Sequence, residues 1–344
     1  LILKGDKMIK RFIIKHFLIF LALGISLNTA LNSEKSEVSP SLLQEQPLPA
    51  HEIHPVEILR APAGSGPNDI GLITPDEANP EGPMSFALGK NEEIYILDQI
   101  NLRIQVYKNN VRVETIPLPA ETYDDLDLCP DGKIVLLDSL NQKALFIINR
   151  KGEVLNKIPL KGELIPDPME VIEIQVVGEG EFAGIWVALD GRSVRLASLD
   201  GRSLQPIAAP GKFSLDGKRL MKAEILGEMT AAVYRSEENS FARWEPEITI
   251  NFPWSIVLLH GLWDDQSDKI YLGAFLSGEN DRGEEVFANE FVILSPHGKE
   301  LNRFRMFVQK EPHEIRRSLR LAPEGNLYQM VVDQDYVLIF KYEL

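Results

Sequence analysis

Apolar runs of strand length, separated by short polar turns, dominate the chain from Val56 onward. Ile94-Tyr95-Ile96-Leu97-Asp98 is followed by the turn Gln99-Ile100-Asn101 and a second apolar run over 102–107. Residues 134–138, 139–141 and 142–148 repeat that arrangement. Asp98 and Asp138 lie 40 residues apart, as do Asn101 and Asn141, and Ile116-Pro117-Leu118 recurs 42 residues on at Ile158-Pro159-Leu160. A period of 40–42 residues carrying about four strands is one blade of a β-propeller.

Glycine-bearing turns extend the count. Lys151-Gly152-Glu153, Asp200-Gly201-Arg202 and His297-Gly298-Lys299 each sit between two apolar runs, as an outer-strand hairpin does. Their spacings of 49 and 97 residues leave room for one degenerate blade around 221–252. The first blade makes the same turn at Asn109-Asn110. The last blade is split: residues 317–344 supply three strands, and residues 56–60 supply the fourth. Pairing these two ends closes the ring and removes what would otherwise be open strand edges. The pattern predicts an all-β fold, a six-bladed propeller of four-stranded antiparallel blades. Seven blades is the alternative if 205–255 holds two.

The N-terminal region has a different pattern. After Met8 come Lys10, Arg11, Lys15 and His16, then the apolar run 17–27, then small and polar residues to Ser33. This is the order of a secretory signal peptide, and the apolar run is too short for the roughly 20 residues that span a bilayer. Residues 34–55 are rich in Ser, Glu, Gln and Pro and read as a disordered linker. The organisation predicted is therefore 1–33 upstream residues and signal, 34–55 linker, 56–344 propeller, with a periplasmic or secreted location.

Charge narrows the partners. The chain carries −15, and its first 33 residues hold five basic side chains against one acid, which leaves −19 for the rest. So acidic a domain repels phosphate backbones, which argues against nucleic acid. Cys129 is the sole cysteine, so no disulfide forms within the chain, and its apolar neighbours mark it as a packed core residue.

Gly64-Ser65-Gly66-Pro67, Pro83-Met84-Ser85-Phe86-Ala87-Leu88 and residues 94–107 together resemble NHL-repeat propellers. That resemblance implies a six-bladed ring acting as a platform for proteins, RNA or glycans. Glu81-Gly82-Pro83-Met84 resembles the Glu-Gly-Pro segment of the gluconolactonase-like propellers, which are calcium- or zinc-dependent hydrolases. It implies Glu81 as an axial metal ligand, with Ca2+ or Zn2+ polarising a lactone carbonyl and activating water. The Asn-Asp-Gly-type segment of that family does not occur in the middle blades, and Asn68-Asp69 precedes the first blade.

Asp98, Asn101, Asp138 and Asn141 recur at blade spacing and read as turn-forming residues. Asp124, Asp125, Glu170, Lys222, Ser255 and Arg317 fall near the starts of expected inner strands and are candidates for a polar axial mouth. His51 and His54 lie in the linker. His260, Trp263, Asp264, Asp265 and Asp268 read as a polar turn of the fifth blade, and residues 277–285 as a long exposed acidic hairpin. The leading expectation is an exported, non-catalytic propeller that binds a protein, peptide or carbohydrate, with no cofactor. The alternative is a metal-dependent lactonase- or esterase-like hydrolase using Glu81.

Overall fold

The computed structural model describes residues 53–74, 80–308 and 314–344. The signal segment, most of the linker and His51 lie outside these residues. Six four-stranded antiparallel sheets follow one another in sequence. Blade I comprises β2 (Phe86–Leu88), β3 (Ile94–Asp98), β4 (Arg103–Lys108) and β5 (Val111–Pro117). Blade II comprises β6 (Asp125–Leu128), β7 (Ile134–Asp138), β8 (Ala144–Ile148) and β9 (Val154–Pro159). Blade III is β10 (Glu173–Val177), β11 (Gly184–Leu189), β12 (Arg192–Ala197) and β13 (Ser203–Ala209). Blade IV is β14 (Lys212–Phe213), β15 (Leu220–Gly227), β16 (Thr230–Arg235) and β17 (Ile248–Asn251). Blade V is β18 (Ser255–Asp264), β19 (Ile270–Glu279), β20 (Glu285–Leu294) and β21 (Glu300–Met306).

Blade VI joins the two ends of the domain. Its inner strands are β22 (Leu319–Leu321), β23 (Leu327–Val332) and β24 (Tyr336–Tyr342), and its outer strand is β1 (Val56–Pro62). β1 pairs antiparallel with β24 from Val56↔Lys341 to Pro62↔Tyr336. The ring has six blades, closed as the strand count required.

The middle strands of the blades are apolar without interruption because both of their faces are covered. In β3 every residue is buried. Alternation sends Tyr95 and Leu97 into a cluster with Leu126, Leu136 and Phe146 of blade II, and Ile94 and Ile96 into a cluster with Met330 and Ile339 of blade VI. Clusters of this kind fill all six blade–blade interfaces. Cys129 belongs to the one between blades II and III, and burial pushes its thiol up to about 12. It remains protonated at neutral pH and acts as packing.

Blade IV departs from the expected spacing. Its inner strand is β14, two residues long, and it begins at Lys212 rather than near Lys222. The turn at Asp216-Gly217, where Gly217 has φ +69, returns the chain into β15. A two-residue strand leaves almost no hydrophobic pattern to read.

Candidate functional site

The first strand of each blade lines the central axis, and all six run in the same direction. Their starting ends form one mouth, and it is filled by charge. Asp125, wholly buried, accepts from Ser85 Oγ (2.6 Å) and from the Ile174 amide (2.9 Å), and it faces Arg317 Nη1 (3.3 Å) and Arg320 Nη2 (3.6 Å). Glu173 is held by Arg317 Nη2 (3.2 Å) and by the Lys212 ammonium. Asp127 faces Arg320 Nη1 at 3.6 Å. Arg320 also donates to the Phe86 carbonyl (2.6 Å) and the Leu126 carbonyl (2.5 Å), which ties blade VI to blades I and II across the axis. Above this layer Arg316 donates to Asp124 (2.9 Å), to Ser139 Oγ (3.1 Å) and to the Val171 carbonyl.

Three carboxylates thus face three cations, and the group neutralises itself. Burial favours the protonated form of Glu173, but Arg317, Lys212 and Arg320 outweigh it and hold the carboxyl down to about 2. Burial, reinforced by the neighbouring Arg317 charge, lowers Arg320 to about 10, so it stays cationic at neutral pH. Asp124 shifts upward because its burial outweighs the pull of Arg316.

Of the residues expected at the mouth, Asp124, Asp125 and Arg317 are brought together. Glu170 lies three residues short of the inner strand, in the short turn Pro168–Glu170, and its side chain is exposed. Lys222 sits on β15, paired with Glu224 at 2.8 Å and 4.6 Å from the Tyr234 ring centroid; its expected axial place is taken by Lys212. Ser255 opens β18 but bonds Glu228 (2.7 Å) well away from the charged layer. Sequence reasoning passed over Asp127, Glu173, Lys212, Arg316 and Arg320. The pairing of Asp124-Asp125-Leu126-Asp127 with Arg316-Arg317-Ser318-Leu319-Arg320 was the available signal.

Glu81 lies before β2. Its backbone bridges Ile73 and its side chain is exposed. Among the described residues no group of three or more His, Cys, Asp or Glu is arranged to hold a metal. The axial carboxylates fit a divalent ion poorly for an electrostatic reason: two guanidinium groups and an ammonium already occupy their oxygens, and a metal placed there would sit against them.

The turn residues bond as follows. Asp138 Oδ1 accepts from the amides of Asn141 (2.8 Å) and Gln142 (2.9 Å). Asp98 accepts from the Gly71 amide (2.8 Å) and from Arg103 Nε (2.7 Å), and Asn101 donates to the Gly64 carbonyl (2.9 Å), so these residues clamp the segment that precedes blade I.

A second feature rises beside the charged mouth. The inner strand of blade V, β18, spans ten residues, as do β19 and β20 behind it, whereas the inner strands of the other blades have two to five. The Leu215 amide donates to Asp264 Oδ1 (2.7 Å), which sets the lower ends of blades IV and V level. The extra residues of blade V therefore all project past the mouth, by roughly 15 Å at about 3.3 Å per residue. β15 and β16 project with them: Glu228 at their tip accepts from Ser255 Oγ, and the Ile256 amide donates to the Glu228 carbonyl (2.7 Å). His260, Trp263 and Asp264 lie within β18 rather than in a turn. On this wall Ala274 and Leu276 pack toward blade IV, so alternation turns Phe275 and Phe287 to the opposite side, where they stack half-buried at 5.4 Å. Gly278 lets the wall close on Trp254, whose ring would lie 2.4 Å from a Cβ at that position.

At the opposite end of the axis a cavity of about 1040 Å³ opens where the inner strands finish. Each blade contributes to it, through Leu88, Leu128, Val176, Leu215, Gln266 and Ala322.

No family model matches the chain, and no curated protein resembles it. Solved structures do. A member of the duf4221 family from Bacteroides vulgatus is 11% identical, with 85% of this chain and 98% of that one covered and a TM-score of 0.45. A catalytically inactive virginiamycin B lyase from Staphylococcus aureus is also 11% identical, covering 79% and 99% at a TM-score of 0.42. A gluconolactonase from Xanthomonas campestris is 11% identical, covering 75% and 85% at 0.41. The strand pairing identifies the chain as a six-bladed β-propeller, and its structural neighbours include lactonases, lyases and proteins of unknown function.

Proposed function

We propose that this chain is an exported, non-catalytic propeller that binds a polypeptide partner on the wall raised by blades IV and V. The wall carries the reading. It gives one side of the axial mouth a two-blade projection on which the half-buried aromatic groups Phe275 and Phe287 stack. Aromatic side chains set in a polar rim are the usual anchors of protein recognition. The charged layer beside it supports the same reading, since Asp125, Asp127 and Glu173 are each paired with a guanidinium or ammonium group; Asp124 above them is held by Arg316 through one oxygen, the other being buried without a hydrogen-bond partner among the described residues. The positive, apolar, small order of residues 8–33 supports export.

Panning the immobilised full chain against a random-peptide display library, alongside a glycan array, tests the reading. It expects saturable peptide binding that Phe287→Glu abolishes, and no glycan binding. Glycan binding that Phe287→Glu leaves intact would replace it with a carbohydrate-binding module, and lactone hydrolysis dependent on added Ca2+ or Zn2+ would replace it with the hydrolase.

A further inference from the structure

The projecting part of β15 has an open inner edge. β14 pairs with β15 only at Lys212↔Met221 and Phe213↔Leu220. The next six residues of β15, 222–227, have β16 on one side and no strand on the other. Antiparallel pairing alternates the direction of the backbone groups. The Ser236 amide donates to the Leu220 carbonyl (2.8 Å), so Leu220 bonds on the β16 side. Lys222 and Glu224 then do the same, and Met221, Ala223 and Ile225 direct their N–H and C=O groups the other way. Met221 meets Lys212 there; the backbone groups of Ala223 and Ile225 have no hydrogen-bond partner on that side among the described residues, while the Ala223 side chain packs toward blade V. Ile225 and Leu226 are 47% and 49% exposed, so the edge is open to solvent.

An unpaired edge of this kind is a template for another strand, and proteins that do not use one usually blunt it with proline or cover it. Residues 222–227 read Lys-Ala-Glu-Ile-Leu-Gly and hold no proline; the lysine is neutralised by Glu224, and the register shift of the strand lies beyond Ile225. Its surroundings are acidic. Glu224 lies on the edge strand itself, Glu228 is at its tip, and through the contacts Glu228–Ser255 and Ser277–Glu285 the rim continues to Glu279 and Glu284, with Arg282 as the opposing charge. Lys222 is already paired with Glu224. We infer that the inner edge of β15 at Ala223 and Ile225 accepts a basic, extended segment of a partner protein as an added strand. This inference rests on the polypeptide-binding reading and narrows it to one edge and one kind of segment. The added strand takes its register from the outward N–H and C=O groups of the two residues and its orientation at the mouth from the acidic rim, and its apolar side chains lie on the face of Ala223 and Ile225.

The test uses the full chain and a fluorescein-labelled peptide of about ten residues alternating lysine and valine, with a glutamate–valine counterpart as control. The lysine peptide is expected to bind, the glutamate peptide not to bind, and raised salt to weaken the first. Ala223→Pro removes the outward amide without removing a bond to β16, and it is expected to weaken binding about tenfold or more. Hydrogen exchange on the unsubstituted protein needs no variant: Ala223 and Ile225 amides should exchange fast in the free chain and slow on binding, while Lys222 and Glu224 are protected throughout. Slow exchange at Ala223 and Ile225 in the free chain would overturn the inference. So would lysine-peptide binding indifferent to Ala223→Pro, with the library peptides still lost in Phe287→Glu; in that case the broader binding reading stands. Failure of both the lysine peptide and the library would remove the two together.

Discussion

Arg320→Ala is expected to cost about 3–5 kcal/mol in urea unfolding, because it strips Asp127 of its counter-charge and takes one of two guanidinium groups from the buried Asp125. Arg320 is 7% exposed and reaches Asp125, Asp127 and the carbonyls of Phe86 and Leu126. Removing it leaves Asp127 and two carbonyls facing a hole, and only Arg316 and Arg317 then tie blade VI to its neighbours at the mouth. Arg320→Met combined with Asp127→Leu should recover part of the loss, since replacing both partners by apolar groups of similar size removes the unpaired charge. A loss for Arg320→Ala below about 1 kcal/mol, the range of a surface pair, would show that the axial charges are not coupled as the geometry indicates.

The same charges set how the fold responds to acid. Glu173 is held at about 2 in the folded chain against an ordinary 4.5. Its contribution to stability is therefore complete above the ordinary value and is lost as the pH falls from about 4.5 toward 2, where the folded carboxyl takes up its proton. Asp124, shifted upward, acts with the opposite sign and cannot supply that loss.

Leu59→Asp is expected to be equally severe for a different reason. Leu59 is 1% exposed in β1 and packs with Ile96, Met330 and Ile339, so the substitution places a carboxylate in the interface that closes the ring. A loss of at least about 4 kcal/mol is expected from the missing burial and the stranded charge. Undocking β1 would also bare the edge of β24, so size-exclusion chromatography should show higher oligomers. Val56→Asp, at the half-exposed start of the same strand, is the control and should change little. A Leu59→Asp chain as stable and monomeric as its parent would mean that β1 does not close the ring.

The difference between these regions explains what the sequence could show. β3, β7 and β8 are buried on both faces, so they appear as unbroken apolar runs, and their 40-residue spacing counts the blades. Ring closure was legible as a strand missing at one end and supplied at the other. The axis was not. Its strands are short and polar, and a slip of one residue turns a side chain from the channel to the core. Asp125 was reached because it opens β6, and Arg317 because it lies just ahead of β22. Glu173 was missed because a short turn at Pro168–Glu170 delays β10 by three residues, and Lys212 because β14 is only two residues long. The open edge of β15 could not be read at all, because it consists of a neighbour that stops early.

The central claim is that the axis is occupied by its own charges and serves as structure beside a binding wall. A calcium and zinc titration of the full chain by thermal shift tests it most directly, with Glu81→Gln measured in parallel. A metal bound only to the folded state at a hundredfold excess over its dissociation constant would add about 2.7 kcal/mol. The account predicts no saturable shift with either ion and identical curves for the two proteins. A saturable shift that disappears in Glu81→Gln would contradict it and place a metal site at the mouth.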